Sequence, residues 1–210
     1  MGYLIQKLFA VPILIISLTL HELAHGLAAY MLGDKTAKYN GRLSFNPLKH
    51  IDWLGFLLLL VAGIGWAKPV PVNAYCFKDP KKGMAITALA GPLMNILLVF
   101  VSLVLYALGI IYSWNEYILI FLHISAQYNA VLAMFNLLPI PPLDGSKALL
   151  AFLPQKYYFK IMAYEQYGMI VIMILAFTNI SSKIISVGVV NLINKLWRIV
   201  VELLTLLGVA

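Results

Sequence analysis

The chain has 210 residues, of which 62% are hydrophobic and 11% are charged, against about 25% charged residues in an ordinary soluble domain. The net charge is +7, and the single cysteine, Cys76, allows neither an internal disulfide nor a cysteine-rich zinc site. This composition excludes a soluble globular domain, a disordered chain and a nucleic-acid-binding module, and it predicts an integral membrane protein.

The first apolar segment predicts one transmembrane helix over residues 4–32. Its beginning resembles a secretory signal peptide. No small-residue cleavage site follows, however, and the apolar pattern continues through His21-Glu22 and beyond. We therefore interpret this segment as a retained helix.

The second apolar segment, residues 53–64, is shorter than the roughly 20 residues that cross a bilayer. Basic residues flank it on both sides: Lys35, Lys38, Arg42 and Lys49 precede it, and Lys68, Lys78, Lys81 and Lys82 follow it. Because basic loops stay in the cytoplasm, the segment is predicted to enter the membrane and return on the same side.

Four further spans follow. Residues 84–112 lead to a turn without Lys or Arg, which should lie outside, and residues 117–138 return inward. Residues 164–180 form another span. Residues 184–209 form the last one, unless the polar residues within it place it at the membrane interface.

These segments predict an all-α polytopic membrane protein with about five to six transmembrane helices. A short re-entrant or extended region separates the first and second full spans. We expect a single membrane-embedded domain over residues 1–210, with a core at 1–150 and additional helices at 160–210. Basic loops explain the positive charge better than a nucleic-acid partner does.

This topology brings distant polar residues to one depth. The first helix ends inside, so His21 and His25 lie toward its cytoplasmic end. The helix over residues 117–138 also ends inside and is terminated by prolines, so Asp144 lies at a similar level.

His21-Glu22-Leu23-Ala24-His25 forms an H-E-x-x-H motif within the first helix. Histidines four residues apart project from one helical face and can share a metal ion, while Glu22 is placed to take a proton from metal-bound water. The alternative is a polar helix end whose histidines cap carbonyl groups. Three such side chains are costly in lipid without a function.

A hydrolytic zinc site needs a third protein ligand. The candidates are His50, His123, Asp144, Glu165 and Glu202. His50 lies in a basic loop and is expected at the surface, and His123 lies at the wrong depth. The two glutamates could instead be buried partners of lysines. Asp144 has the right depth, although it could simply cap a helix that begins near Ser146.

Five stretches now identify a resemblance to the site-2 protease family of intramembrane zinc metalloproteases, in its compact prokaryotic form without a PDZ or CBS module. The stretches are, in order, HELAHG (21–26), FNP (45–47), GWAKPVPVN (65–73), AGPLMN (90–95) and FNLLPIPPLDG (135–145). One departure is Ala74, where relatives often have proline.

The resemblance implies that His21, His25 and Asp144 bind one zinc ion and that Glu22 is the general base. Asn95 would hydrogen-bond the oxyanion. Asn136 would lie near the metal and position the substrate strand. Each asparagine could instead only join helices, as membrane bundles often require, and Gly91 is expected to be a close-packing glycine one turn from Asn95.

Residues 68–73 alternate with Pro69 and Pro71, which forbid a helix and leave an extended edge. Such an edge near the site could hold an unwound substrate segment by strand addition, although it could also be a plain loop.

The function predicted is intramembrane proteolysis of single-span membrane proteins, in contact with the lipid bilayer. The resemblance implies a prokaryotic plasma membrane, and the topology places the active site toward the cytoplasm. The alternatives are a catalytically silent metal-binding scaffold or chaperone, a transporter with an intramembrane metal, and a peptidase of another family whose third ligand is a glutamate such as Glu165.

Overall fold

The computed structural model describes residues 2–62, 65–154, 161, 168, 170, 172 and 179–209. These residues contain helices and loops but no β-strand, so the all-α prediction is confirmed. The helices are α1 (Gly2–Met31), α2 (Thr36–Tyr39), α3 (Trp53–Ala62), α4 (Pro80–Ile111), α5 (Glu116–Asn136), α6 (Asp144–Leu150) and α7 (Asn179–Leu206). Two 3₁₀ turns lie at Pro47–Lys49 and Ala74–Cys76.

Four of these helices are long and apolar enough to cross a membrane. They are α1, α4, α5 and α7, and their candidate spans run over Gln6–Met31, Pro80–Ile111, Glu116–Asn136 and Lys183–Leu206. The chain is therefore an integral membrane protein. The span predicted over residues 164–180 lies outside the described residues, apart from 168, 170, 172, 179 and 180.

Helix α3 has 10 residues, about half the length that a bilayer requires. Its residue Phe56 packs with Ile51 against Ala10, Leu14 and Leu18 of α1. A short helix that lies against α1 fits the prediction of a segment that does not cross.

Polar side chains set where the central helices begin. Asp79 precedes α4 and accepts a hydrogen bond from the backbone N–H of Lys82, and Pro80 occupies the first turn. Asn115 precedes α5 and accepts from the N–H of Tyr117. Such caps bond the N–H groups that a first turn leaves unpaired, and proline tolerates that position because it has no N–H.

Helix α4 is the centre of the bundle and touches α1, α5, α6 and α7. Toward its C-terminus it joins α5 and α7 in an apolar cluster that includes Val99, Leu103, Ala130, Val200 and Leu204. Because α7 packs along α4 and α5, it behaves as a member of the bundle, although most of its span remains exposed on the outside.

Candidate active site

The first helix places three buried polar side chains side by side. His21, Glu22 and His25 are all less than a tenth exposed. The Nε2 atoms of the two histidines lie 3.0 Å apart, because residues four positions apart share one helical face.

Asp144 reaches the same point from the other side of the bundle. Its Oδ2 lies 3.2 Å from Nε2 of His21 and 3.2 Å from Nε2 of His25. Among the described residues, these three form the cluster of His, Cys, Asp and Glu with metal-binding geometry. The predicted convergence of the two segments is thus what the structure contains.

Asp144 is the first residue of α6, and the N-cap position before it is Leu143. The alternative reading of Asp144 as an N-cap is therefore wrong. The position depends on Gly145, because a Cβ there would run into the backbone carbonyl of Leu137 at the end of α5. Close backbone approach turns the chain sharply after the prolines and directs Asp144 toward α1.

The opposite nitrogen of each imidazole is bonded to α4. Nδ1 of His21 lies 2.6 Å from Oδ1 of Asn95, and Nδ1 of His25 lies 2.7 Å from the carbonyl oxygen of Thr87. Both partners are oxygens that only accept, so each Nδ1 carries the hydrogen. When the imidazoles are neutral, each directs an unprotonated Nε2 toward Asp144, and this is the tautomer that a metal ligand needs.

Asn95 belongs to a chain of buried amides. It is fully buried, and its Nδ2 donates to Oδ1 of Asn129 on α5 at 2.9 Å. Asn129 in turn donates to the carbonyl oxygen of Ser125. His21 is thus held through α4 by α5, and Asn95 does join helices, as the alternative reading expected.

Gly91 faces the two imidazoles from α4. A Cβ built on it would lie 2.6 Å from Nε2 of His21 and closer still to Nε2 of His25. The predicted close packing is present: Gly91 lets α4 approach the two imidazole nitrogens more closely than a residue with a side chain could. A side chain at this position would fill the space that a ligand of both histidines would use.

These observations fit a metal ion. With neutral imidazoles, the two Nε2 atoms and the carboxylate oxygen are three acceptors within 3.2 Å of one another, an arrangement that a bound cation stabilises. Ligands 2.0–2.1 Å from a tetrahedral zinc lie about 3.3 Å apart, close to the separations seen here. The donor set, two nitrogens and one oxygen, is also one that zinc accepts.

Glu22 points to the proline segment, which we define as residues 68–73. Its Oε2 accepts a hydrogen bond of 2.9 Å from the backbone N–H of Val70. The segment forms neither a helix nor a strand within the chain, and the absence of a helix was predicted from its prolines. It therefore lies beside the H-E-x-x-H motif, as the hypothesis of an extended edge near the site expected.

The other candidate ligands lie elsewhere or take other partners. His50 is fully buried, so its expected surface position is wrong; its Nε2 bonds to the carbonyl oxygen of Ser44. His123 is exposed and contacts Gln127. Glu202 is exposed and is in no ion pair with the described residues, and Glu165 lies outside them.

Asn136 is the last residue of α5, and its Nδ2 donates to the carbonyl oxygen of Leu132 within the same helix. The part of the chain that is described shows no hydrogen bond between Asn136 and the three clustered side chains. Its expected role near the metal stays a prediction.

Sequence reasoning missed four groups around the site: Asn129, the Thr87 carbonyl, the Val70 N–H, and the buried Asp34 beyond α1. Two of these are backbone atoms and carry no signal of residue type. Asn129, a polar residue in the middle of an apolar span, could have been found by that feature alone.

Comparison with known proteins decides the family. The model of "Peptidase family M50" matches residues 9–114 and 111–179. The chain belongs to this family, the site-2 proteases. A protein from Bacillus subtilis named "Putative zinc metalloprotease YwhC" is 41% identical over 183 residues, which cover 84% of each chain.

Two further relatives of the site-2 protease extend the comparison. "Putative zinc metalloprotease MJ0611" from Methanocaldococcus jannaschii is 38% identical over 154 residues, 67% of this chain and 72% of the relative. "Putative zinc metalloprotease Rip2" from Mycolicibacterium smegmatis is 31% identical over 176 residues, 78% and 64% respectively. No solved structure matches. The chain is thus a membrane-embedded metalloendopeptidase that uses zinc.

Proposed function

We propose that this site-2 protease holds one zinc ion with His21, His25 and Asp144 and uses Glu22 as its general base to hydrolyse peptide bonds within or near transmembrane segments of single-span proteins. One observation carries the proposal. The Nε2 atoms of two histidines and a carboxylate oxygen converge within 3.2 Å in a buried site, with both Nδ1 atoms already bonded.

The chain's own residues divide the chemistry between them. Zinc bound there would polarise the peptide carbonyl and a water molecule. Glu22 then takes a proton from the water as it attacks the carbonyl carbon, and gives a proton to the leaving amine when the C–N bond breaks. Because Oε2 of Glu22 is bonded to Val70, Oε1 is the atom that exchanges the proton.

Asn95 is proposed to assist beyond holding His21. One of its two Nδ2 hydrogens is donated to Asn129, so an oxyanion would have to use the second. Asn136 is proposed to contact the substrate backbone rather than the metal. It ends α5, directly before the loop over residues 137–143 that leads to α6.

The substrate is proposed to bind as an extended strand along the proline segment. A transmembrane helix hides its amides in its own hydrogen bonds, so it must unwind before attack. Lys68 and Val70 direct their N–H groups into the protein, and each is followed by a proline, Pro69 or Pro71. Neither Pro69 nor Pro71 accepts a hydrogen bond at its carbonyl from the described residues, so a substrate N–H could donate to both carbonyls.

The enzyme is proposed to lie in a prokaryotic plasma membrane with its site toward the cytoplasm. The loop between α1 and α3 carries Lys35, Lys38, Arg42 and Lys49, whereas the turn between α4 and α5 carries no basic residue. The positive-inside rule then orients α1 with its C-terminal, histidine-bearing end inward.

Metal analysis of the detergent-purified protein tests the proposal. We expect about one zinc per chain in the wild type and a loss of zinc in Asp144→Ala. Asp79→Ala is the matched control, because Asp79 is an exposed helix cap far from the cluster in sequence, and it should keep its zinc. Zinc retained in Asp144→Ala would move the third ligand elsewhere, to Glu165 first. A wild type that binds no added zinc would overturn the proposal.

Substitution of Pro69 and Pro71 by alanine tests the substrate edge. We expect cleavage to change while zinc content stays the same, because the prolines touch neither histidine nor Asp144 through a hydrogen bond. Loss of zinc in these variants would instead make the segment a purely structural loop.

A further inference from the structure

The proline segment is fixed at its N-terminal end by the loop between α2 and α3. The N–H of Lys68 donates to the carbonyl oxygen of His50 at 2.9 Å, and the carbonyl oxygen of Lys68 accepts from the Arg42 guanidinium at 2.7 Å. His50 is fully buried and is itself tied to Ser44. The backbone N–H and the carbonyl of Lys68 are therefore both hydrogen-bonded, which fixes this end of the segment.

The C-terminal end is fixed by Asp34, which follows α1. The N–H of Asn73 donates to Oδ2 of Asp34 at 2.7 Å. The other oxygen, Oδ1, accepts from the N–H and the hydroxyl of Thr36 at 2.9 and 2.5 Å. The Asp34 residue is completely buried, and its three hydrogen bonds offset the cost of burying a carboxylate. Nothing in the proposed chemistry uses it.

Between these two ends the segment lies against α1. A Cβ on Gly26 would lie 2.7 Å from Cδ2 of Leu43 and 3.3 Å from Cγ1 of Val70, so the missing side chain makes room for the segment. Glu22 thus bonds to the backbone N–H of Val70, and Gly26 leaves room for the side chain of Val70.

The register of the segment decides whether Glu22 has a partner. Val70 lies between Pro69 and Pro71, which have no N–H. If the segment slipped by one residue in either direction, a proline nitrogen would face Glu22 and the hydrogen bond would be lost. The register must therefore be pinned by groups outside the segment, and Asp34 is the side chain that pins it from the α1 side.

We infer that Asp34 is a positioning residue for the general base: it holds Asn73 so that the N–H of Val70 orients the carboxylate of Glu22. This inference rests on the proposed role of Glu22. The Val70 hydrogen bond fixes Oε2, and Oε1 is then the oxygen that takes the proton from water in the proposed mechanism. Asp34 acts through three residues of backbone and touches neither metal ligand nor substrate.

Residue-resolved hydrogen exchange tests the inference without a substrate. The proline segment has exchangeable amides at Lys68, Val70, Val72 and Asn73, and among the described residues that of Val72 has no hydrogen-bond partner. In the wild type we expect slow exchange at Val70 and Asn73 and fast exchange at Val72, the internal reference. Glu22→Ala should lose protection at Val70.

Asp34→Ala is the deciding variant. The inference expects loss of protection at both Asn73 and Val70, because the segment is then held only at Lys68 and that anchor alone does not fix the register. A merely structural Asp34 would release Asn73 alone, and continued protection at Val70 overturns the inference. Asp79→Ala, another carboxylate that accepts from backbone N–H groups, should leave both amides protected.

Slow exchange within α4 in the same samples reports whether each variant is folded. If Asp34→Ala unfolds, Asp34→Leu provides the same test, because its side chain fills a similar volume and accepts a hydrogen bond from neither Asn73 nor Thr36. Loss of Val70 protection in that variant supports the inference, and its retention refutes it.

Kinetics supply a second measurement. The probe is a fluorogenic peptide with one apolar span of about 20 residues. Asp34→Leu should lower kcat about 10-fold with KM and zinc content unchanged, as expected for a residue that orients a catalytic group. An unchanged kcat would contradict the inference. A wild type without zinc would instead refute the proposed function, while the exchange result would still decide the positioning of Val70.

Discussion

The two halves of α4 make different contacts in the same bundle, although the second half also buries one polar residue, Ser102, which bonds to Ser125. In the first half, Thr87 and Asn95 bond to the histidines of α1, and Gly91 lets the backbone of α4 approach both imidazoles closely. In the second half, Val99 and Leu103 face α5 and α7 and belong to an apolar cluster. Only one helical turn separates Asn95 from Val99.

The difference shows how a membrane protein divides specificity and packing. Lipid is as apolar as a leucine side chain, so apolar contacts hold the second half chiefly through close packing. A buried polar group in the first half is shielded from bulk water and needs a hydrogen-bond partner within the protein. The polar half therefore tolerates few arrangements, and those few fix the geometry of the site.

The largest expected effect is chemical and lies in the polar half. Glu22→Gln keeps an oxygen that can accept from the Val70 N–H but removes the proton acceptor, so cleavage should fall by about 10²–10⁴-fold. Zinc content should stay at the wild-type level. Cleavage of a single-span substrate, measured beside metal analysis, checks both, and retained turnover would reject Glu22 as the base.

The next effect concerns the close approach of Gly91 to the two imidazoles. Gly91→Ala places a methyl group against both Nε2 atoms, so we expect zinc binding to be lost while the helices remain folded. Metal analysis and circular dichroism measure these two outcomes. Gly109→Ala is a useful comparison, since a Cβ there would meet only side chains of Leu119 and Trp114 in the apolar half. Normal zinc affinity in Gly91→Ala would show that the metal lies elsewhere.

A smaller effect is expected from the amide that orients His21. Asn95→Leu removes the acceptor for Nδ1 of His21 and leaves Asn129 without its donor. Loss of such an outer partner typically lowers metal affinity or activity by about 10- to 100-fold. Competition with a zinc chelator measures the affinity. If Asn95→Leu binds zinc as tightly as the wild type, then the buried amide chain serves only to join α4 and α5.

The smallest effect on the site is expected from the apolar half. Leu103→Ala leaves a cavity beside Val200 and should destabilise the bundle by about 2 kcal/mol, at the low end for such truncations because lipid also solvates leucine. Zinc affinity should not change. Unfolding in a mixed-detergent titration gives the stability, and a fall in zinc affinity would show that the two halves of α4 are coupled.

The periodicity of apolar residues and the spacing of the histidines predicted the spanning helices and part of the site. The long apolar segments gave the spanning helices to within a few residues, because a bilayer demands apolar length and leaves little choice. The H-E-x-x-H spacing placed two histidines on one face, and the basic loops placed Asp144 at their depth. These features depend on neighbours in sequence or on the membrane itself, so the sequence alone determined them.

The tertiary structure decided which partner each polar group takes. His50 lies in a basic loop yet is buried, because the loop folds back over the proline segment and uses the His50 carbonyl to hold it. Asn95 orients a histidine, and Val70 contributes a backbone N–H that no residue type reveals. Hydrogen bonds between groups far apart in the chain depend on distances of a few tenths of an ångström, which residue patterns do not encode.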